Sequence, residues 1–220
     1  MTAPSQAPAS INNEEDAMES ARILLPHLNS LEKYDGFLIC CYSVHPLVPM
    51  LRERVDPYYD DGIPKHVVGI FEASISTALG LLSHPISTHH SEEQQKFGIV
   101  STGKYWEKAL TDGVMEYIGF DDLKHCGSFK GVETTGLNAS ELHTMPKDEV
   151  RKRMKEATKR LVRDGDVSVV CLGCAGMAGM DEMILEACIE ELGPSKGRRI
   201  HIVDGIKAGI GMLDNLARAC

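Results

Sequence analysis

Gly36-Phe37-Leu38-Ile39-Cys40-Cys41 is an unbroken apolar run of strand length, followed by Tyr42-Ser43-Val44-His45-Pro46. Such a run, bounded by turn residues, reads as a buried strand. Residues 45–55 then read as a helix, with Pro46 suited to the first turn. The same strand-then-helix unit recurs along the chain. Residues 66–71 and 72–82 form one pair, 97–101 and 104–117 the next. Residues 127–132 suggest a further strand, and 147–163 a charged amphipathic helix whose polar run is a solvated face. Strand 166–172 precedes helix 178–192, and strand 200–203 precedes helix 204–219. Upstream, 1–12 are rich in Ala, Pro and Ser and read as loop. Residues 13–27 carry apolar positions at helical spacing, with Asn12 or Asn13 as cap. Alternating strands and helices define an α/β protein with parallel sheets.

The strands fall into two halves, one ending at Cys41 and Phe71, the other at Ser101, Leu172 and Val203. The first half is thin, because two strands make a poor sheet.

Composition narrows the function. The chain has 220 residues, 43% of them apolar, and a formal net charge of -9. A nucleic-acid partner needs a basic surface, so this balance argues against one. No apolar run reaches the roughly 18 residues of a membrane span, and the first residues lack a signal pattern. The expectation is a soluble cytoplasmic protein. Seven cysteines are many and odd in number, which in a reducing compartment argues against paired disulfides.

Two of these cysteines stand out. Cys41 closes one strand, and Cys174 closes another in Val169-Val170-Cys171-Leu172-Gly173-Cys174-Ala175-Gly176-Met177. Ligands of open α/β sheets bind outside the carboxyl ends of strands. Each cysteine also precedes a helix, whose free N–H groups favour thiolate and can hold an oxyanion. Gly173, Ala175 and Gly176 are small enough to let backbone approach a ligand. The plainer alternative is a pair of inert core cysteines. Cys40-Cys41 and the Cys171-to-Cys174 spacing offer a zinc or redox reading, but both pairs lie in apolar strands, so Cys40 and Cys171 are expected to face the core.

These residues resemble the aspartate/glutamate/hydantoin racemase superfamily, and within it the hydantoin racemase family with its allantoin racemase members, in particular fungal ones. The resemblance is carried by Asp35-Gly36-Phe37-Leu38-Ile39-Cys40-Cys41-Tyr42-Ser43, by Val68-Gly69-Ile70-Phe71-Glu72-Ala73-Ser74 and, most specifically, by Leu172-Gly173-Cys174-Ala175-Gly176-Met177. It implies two similar α/β lobes of parallel sheet flanked by helices, with the active site in the cleft between them. The lobes would be residues 1–97 plus 204–220, and residues 98–203. Relatives of this kind usually begin with a strand, a loop, a helix and a second strand before the segment that here follows Met1. The first lobe is therefore expected to be incomplete, and this 220-residue form poorly stable or inactive.

The resemblance further implies a cofactor-independent racemase that needs no metal, with Cys41 and Cys174 as opposed acid and base. The substrate would be a hydantoin-type ring such as allantoin or a 5-substituted hydantoin. Relatives acting on open-chain acids are the alternative: amino-acid racemases, maleate-type isomerases or decarboxylases. An inactive remnant is the third reading. No arginine lies near either cysteine turn, which favours a neutral ring over a carboxylate. Thiols suit the task because their pKa can be tuned to working pH. Ser43, Ser101 and Thr102 are candidate hydrogen-bond donors to substrate, and Glu72 a candidate acceptor for a ring N–H. Thr134, Thr135 and Gly136 either line the cleft or form a plain turn. Asp204 reads as a helix cap and His45 as a solvent-facing first-turn residue. His84, His89 and His90 match no firm metal spacing. Members of such families commonly associate, which makes a homo-oligomer an expectation.

Overall fold

The computed structural model describes residues 3–56, 64–82 and 95–219. Six strands and eight α-helices are found among them: α1 Glu14–His27, β1 Gly36–Ile39, α2 Leu47–Val55, β2 His66–Gly69, α3 Ile70–Leu81, β3 Lys96–Ser101, α4 Tyr105–Ile118, β4 Phe129–Thr134, α5 Glu141–Thr144, α6 Lys147–Val162, β5 Val167–Leu172, α7 Asp181–Gly197, β6 His201–Asp204 and α8 Gly205–Ala219. The strand order and seven of the helices match the sequence reading, α5 being a single turn it did not anticipate, and the fold is α/β with parallel sheets flanked by helices. The His84, His89 and His90 loop lies outside the described residues.

Two sheets form. β1 and β2 pair in parallel, with Phe37 opposite Val67 and Ile39 opposite Gly69. The second sheet runs β4-β3-β5-β6, again all parallel. Its central strands are apolar and buried over residues 97–100 of β3 and 169–172 of β5 because helices cover both faces, as a parallel sheet requires. Phe97, Ile99, Val169 and Cys171 face one core together with Phe71, Ile75 and Leu110. Val100, Val170 and Leu172 face the other, against Met154, Leu161 and Ile184. α3 packs on β5, β6 and α8, so one helix spans the two sheets, and α8 returns to β1 and β2.

Local chemistry sets the helix ends. Asn13 caps α1 by accepting the Asp16 N–H at 2.8 Å. α6 buries Val150, Met154, Ala157, Leu161 and Val162 on one stripe. Its charged residues Arg151, Lys155 and Lys159 pair with Glu186 and Glu190 of α7, solvent-exposed contacts that add little stability each. α7 is kinked at Gly193, whose φ of 78° precedes Pro194.

Two expectations are corrected here. The run read as a buried strand over 36–41 ends at Ile39, and none of its residues is fully buried. β1 has β2 on one side and no other strand partner among the described residues. Cys40, expected in the core, is exposed, because pleat alternation stops before it. No described helix is long and apolar enough to cross a membrane.

Candidate active site

Cys41 sits two residues beyond the end of β1, in a turn closed by the Ser43 N–H donating to the Cys41 carbonyl at 3.1 Å. Neighbouring side chains anchor this turn. Tyr42 is buried edge-on against Phe71, with ring centroids 5.5 Å apart. A Val44 methyl rests on Gly113 of α4, where a Cβ would come within 2.6 Å of it. Thus the loop carrying Cys41 leans on a helix that flanks the other sheet. His45 is buried rather than solvent-facing. Its Nδ1 accepts the Leu47 N–H at 3.2 Å at the start of α2, and burial pushes its pKa down to about 4. It is a neutral structural cap, not a tuner of Cys41.

Cys174 sits two residues beyond β5. The Gly173 N–H donates to the Val100 carbonyl at 2.8 Å, and Ser101 Oγ donates to the Gly173 carbonyl at 2.7 Å. Gly173 is pressed so closely on β3 that a Cβ would fall 2.7 Å from Ile99 and 2.8 Å from the Val100 carbonyl oxygen. Ala175–Met177 then forms one 3-10 turn, and the Gly176 N–H donates to the Cys174 sulfur. Cys171, three residues back, is fully buried as expected.

Burial pushes the Cys41 thiol up to about 11; the Ser43 hydroxyl, 3.4 Å from its sulfur, opposes that, and charge on Cys174 and Cys40 adds to it. Burial also raises the Cys174 thiol, against the Gly176 N–H. The sequence reading expected helix termini to lower both. That expectation fails because α2 begins only at Leu47 and α7 only at Asp181, so neither sulfur lies in an α-helical first turn, and desolvation dominates.

The remaining candidates divide. Ser43 faces the Cys41 sulfur. Ser101 is buried and spent on Gly173, which makes it a brace for the Cys174 turn and corrects its reading as a substrate donor. Thr102 is buried, and its carbonyl accepts from the Gly136 N–H at 3.0 Å and from Thr135 Oγ at 3.4 Å. Thr134 donates to Glu107, so residues 134–136 form a braced turn. Asp204 caps α8 by accepting the Ile206 N–H at 2.8 Å. Glu72 lies in the first turn of α3 with its carboxylate folded over Gly69, where a Cβ would be 2.1 Å from Oε2. That oxygen is buried without a described hydrogen-bond partner, and burial raises the Glu72 pKa against the nearby Arg52 charge.

Sequence reasoning missed His143. It lies on α5, and its Nε2 is 3.2 Å from where a Gly176 Cβ would stand, a point also 3.6 Å from the Cys174 sulfur. Two concavities border the Cys41 turn. One of about 630 Å³ is lined by Ser43, Val44, Lys104, Trp106 and Lys108. The other, of about 590 Å³, follows β1 and is lined by Phe37, Ile39, Cys41, Leu24, Leu28 and Leu51. Among the described residues no group of His, Cys, Asp and Glu is arranged to hold a metal.

Two parallel sheets flanked by helices, each followed by a cysteine on the turn after a strand end, define the class: a two-lobed α/β protein of the kind found in racemases. The sequence match is direct, for residues 1–213 fit the Asp/Glu/Hydantoin racemase family, and the chain belongs to it. An uncharacterised Schizosaccharomyces pombe protein is 35% identical over 219 residues, spanning 99% of this chain and 78% of that one. Protein DCG1 of Saccharomyces cerevisiae is 24% identical over 190 residues, spanning 83% of this chain and 71% of its own. Among solved structures, allantoin racemase from Pseudomonas fluorescens superposes with a TM-score of 0.69 at 22% identity, covering 98% of this chain and 76% of that one. Glutamate racemase from Bacillus anthracis gives 0.62 at 15% identity, covering 97% and 69%. At these identities the structures establish the fold.

Proposed function

We propose that this chain is a cofactor-independent racemase of a hydantoin-type ring, such as allantoin or a 5-substituted hydantoin, with Cys41 and Cys174 as opposed acid and base. The observation that supports it most is that a chain of this racemase family carries two partly buried free cysteines, each on the turn two residues beyond a strand, and the two strands belong to different sheets. Racemisation removes a proton from one face of a carbon and returns one to the other, so it needs two groups carrying one proton between them. Charge on Cys174 raises the Cys41 thiol, which favours that one-thiol, one-thiolate state over two thiolates.

The carbanion delocalises into the adjacent carbonyl as an enolate. The Ser43 N–H is used by the Cys41 carbonyl, while the Ala175 N–H has no acceptor among the described residues and meets the enolate oxygen. Glu72, whose buried Oε2 has no hydrogen-bond partner among the described residues, is the acceptor for a ring N–H. Ser43 hydrogen-bonds the reacting thiol. Thr102, Gly173 and Gly176 shape the backbone walls.

A second reading, an open-chain acid as substrate, is favoured by Lys104 and Lys108 in the concavity that reaches Ser43. Heavy-water exchange separates the readings. Exchange at the stereocentre of allantoin or a 5-substituted hydantoin supports the ring; exchange on aspartate or glutamate alone supports the acid. No exchange on either class overturns both and leaves a non-catalytic protein.

A further inference from the structure

Racemisation needs two groups on opposite faces of one carbon, and misplacing a catalytic group by about 1 Å costs on the order of 10²-fold in rate. Cys41 and Cys174 follow strands of different sheets, and no strand pairing joins those sheets among the described residues. Something else must therefore fix one turn relative to the other. β3 and the helix after it, α4, touch both turns.

The strand end holds the Cys174 turn. The Val100 carbonyl accepts the Gly173 N–H at 2.8 Å, and Ser101 Oγ donates to the Gly173 carbonyl at 2.7 Å, one residue before the cysteine. The helix holds the Cys41 turn. Gly113 is buried in the body of α4, and the place its Cβ would take is 2.6 Å from a Val44 methyl and 3.1 Å from the Phe71 ring. Phe71 carries the Tyr42 ring edge-on, with centroids 5.5 Å apart. Tyr42 and Val44 flank Ser43, whose hydroxyl is 3.4 Å from the Cys41 sulfur. Glycine inside a helix costs about 1 kcal/mol relative to alanine, and Gly113 has no positive φ to call for it. Close approach is the remaining reason: the helix face is bare where the turn lies on it.

We propose that β3 and α4 are the common platform of the two thiol turns, and that Gly113 is its positioning residue: the bare face there sets how closely the Cys41 turn seats, and hence where the Cys41 sulfur stands relative to Cys174. The inference rests on the two-cysteine reading above. Gly113 acts through Val44 and Phe71, not on the reacting atoms. A side chain at 113 lifts the turn. The Cys174 thiolate still takes the carbon-bound proton, and the electron pair passes into the carbonyl as the enolate. With the Cys41 thiol displaced, the enolate is reprotonated on the face it was deprotonated from, after the Cys174 proton has exchanged with solvent. Exchange with retention then gains on inversion.

The test measures the ratio of exchange with retention to inversion, in heavy water, from each pure enantiomer of the ring substrate. The ratio is read per turnover, so a loss of folded protein lowers both rates and leaves it unchanged. Alanine is the better helix former, so Gly113→Ala keeps α4. Its ratio is expected to rise about tenfold for the enantiomer that Cys41→Ser still exchanges, the one Cys174 deprotonates. Val44→Ala in the same chain removes the methyl that the new Cβ meets, and should bring the ratio back towards wild type. Val44→Leu overfills the contact from a residue that is 54% exposed, and should raise the ratio whether or not Gly113→Ala folds. An unchanged ratio in either single variant, or a raised one that Val44→Ala does not lower, overturns the inference. Wild-type racemisation in both Cys41→Ser and Cys174→Ser, or no exchange by the wild-type chain, overturns the parent reading and this inference with it. Cysteine variants that lose racemisation beside an unchanged Gly113→Ala ratio overturn the inference alone.

Discussion

Ser101 Oγ donates to the Gly173 carbonyl at 2.7 Å, so the end of β3 holds the turn that presents Cys174. Ser101→Ala leaves that buried carbonyl unpaired. A loss of about 1–3 kcal/mol in unfolding free energy is expected. Urea denaturation measures it, and kcat should fall with little change in KM, since the turn rather than a substrate contact is lost. An unchanged midpoint would show that the turn holds itself.

Gly173 is the other half of that brace. A methyl there meets the Val100 carbonyl oxygen at 2.8 Å, a backbone atom that cannot swing aside. Gly173→Ala is expected to destabilise by about 1–3 kcal/mol through overpacking. The same denaturation curve reads it, and a neutral effect would mean that β3 and β5 yield more easily than their register suggests.

Glu72 separates binding from folding. Its buried Oε2 has no described partner, so Glu72→Gln removes a desolvated carboxyl without breaking an internal bond made by that oxygen. Stability should hold or rise slightly. If the side chain accepts a ring N–H, KM should rise about tenfold or more, the loss expected for a hydrogen bond to a charged group. Steady-state kinetics on the ring substrate decides; an unchanged KM removes Glu72 from the binding site.

Alkaline pH should destabilise the fold. Burial holds Cys41 up at about 11, and Cys171 and Cys188 at about 12, against an ordinary 9.0. A thiol raised in the folded state contributes stability that is fully present below its unfolded pKa and is lost as pH rises through the folded values. Thermal melts should therefore be level with respect to these thiols up to about pH 9 and fall between there and about 12. A transition temperature constant across that range would contradict the burial of these thiols.

Much of this architecture was readable in the chain. Val169-Val170-Cys171-Leu172 is apolar at every position because β5 is covered on both faces, and the small residues after it announced a turn with close approach. The run Phe37-Leu38-Ile39 by itself reads as buried because it is equally apolar; only the expected incompleteness of the first lobe pointed to its exposure, since burial depends on what lies along its other edge. Cys40 followed the same error, its facing being set by a strand end that apolarity does not mark. Thiol acidity was misjudged because distance to a helix start is a matter of residues, while desolvation is a matter of the whole surrounding fold. His143 carried no signal at all: a lone histidine in a polar stretch comes beside Gly176 because Leu142 docks α5 on the Ala175–Met177 turn.

The claim that Cys41 and Cys174 work on opposite faces of one carbon is tested most directly by single-cysteine variants in heavy water, each given one pure enantiomer of the ring substrate. Cys41→Ser and Cys174→Ser should each lose racemisation by about 10²–10⁴-fold, the contribution of one positioned acid or base. Each should still exchange the stereocentre proton of one enantiomer without inverting it, and the two variants should choose opposite enantiomers. Wild-type racemisation in either variant, or exchange of the same enantiomer by both, would contradict the account.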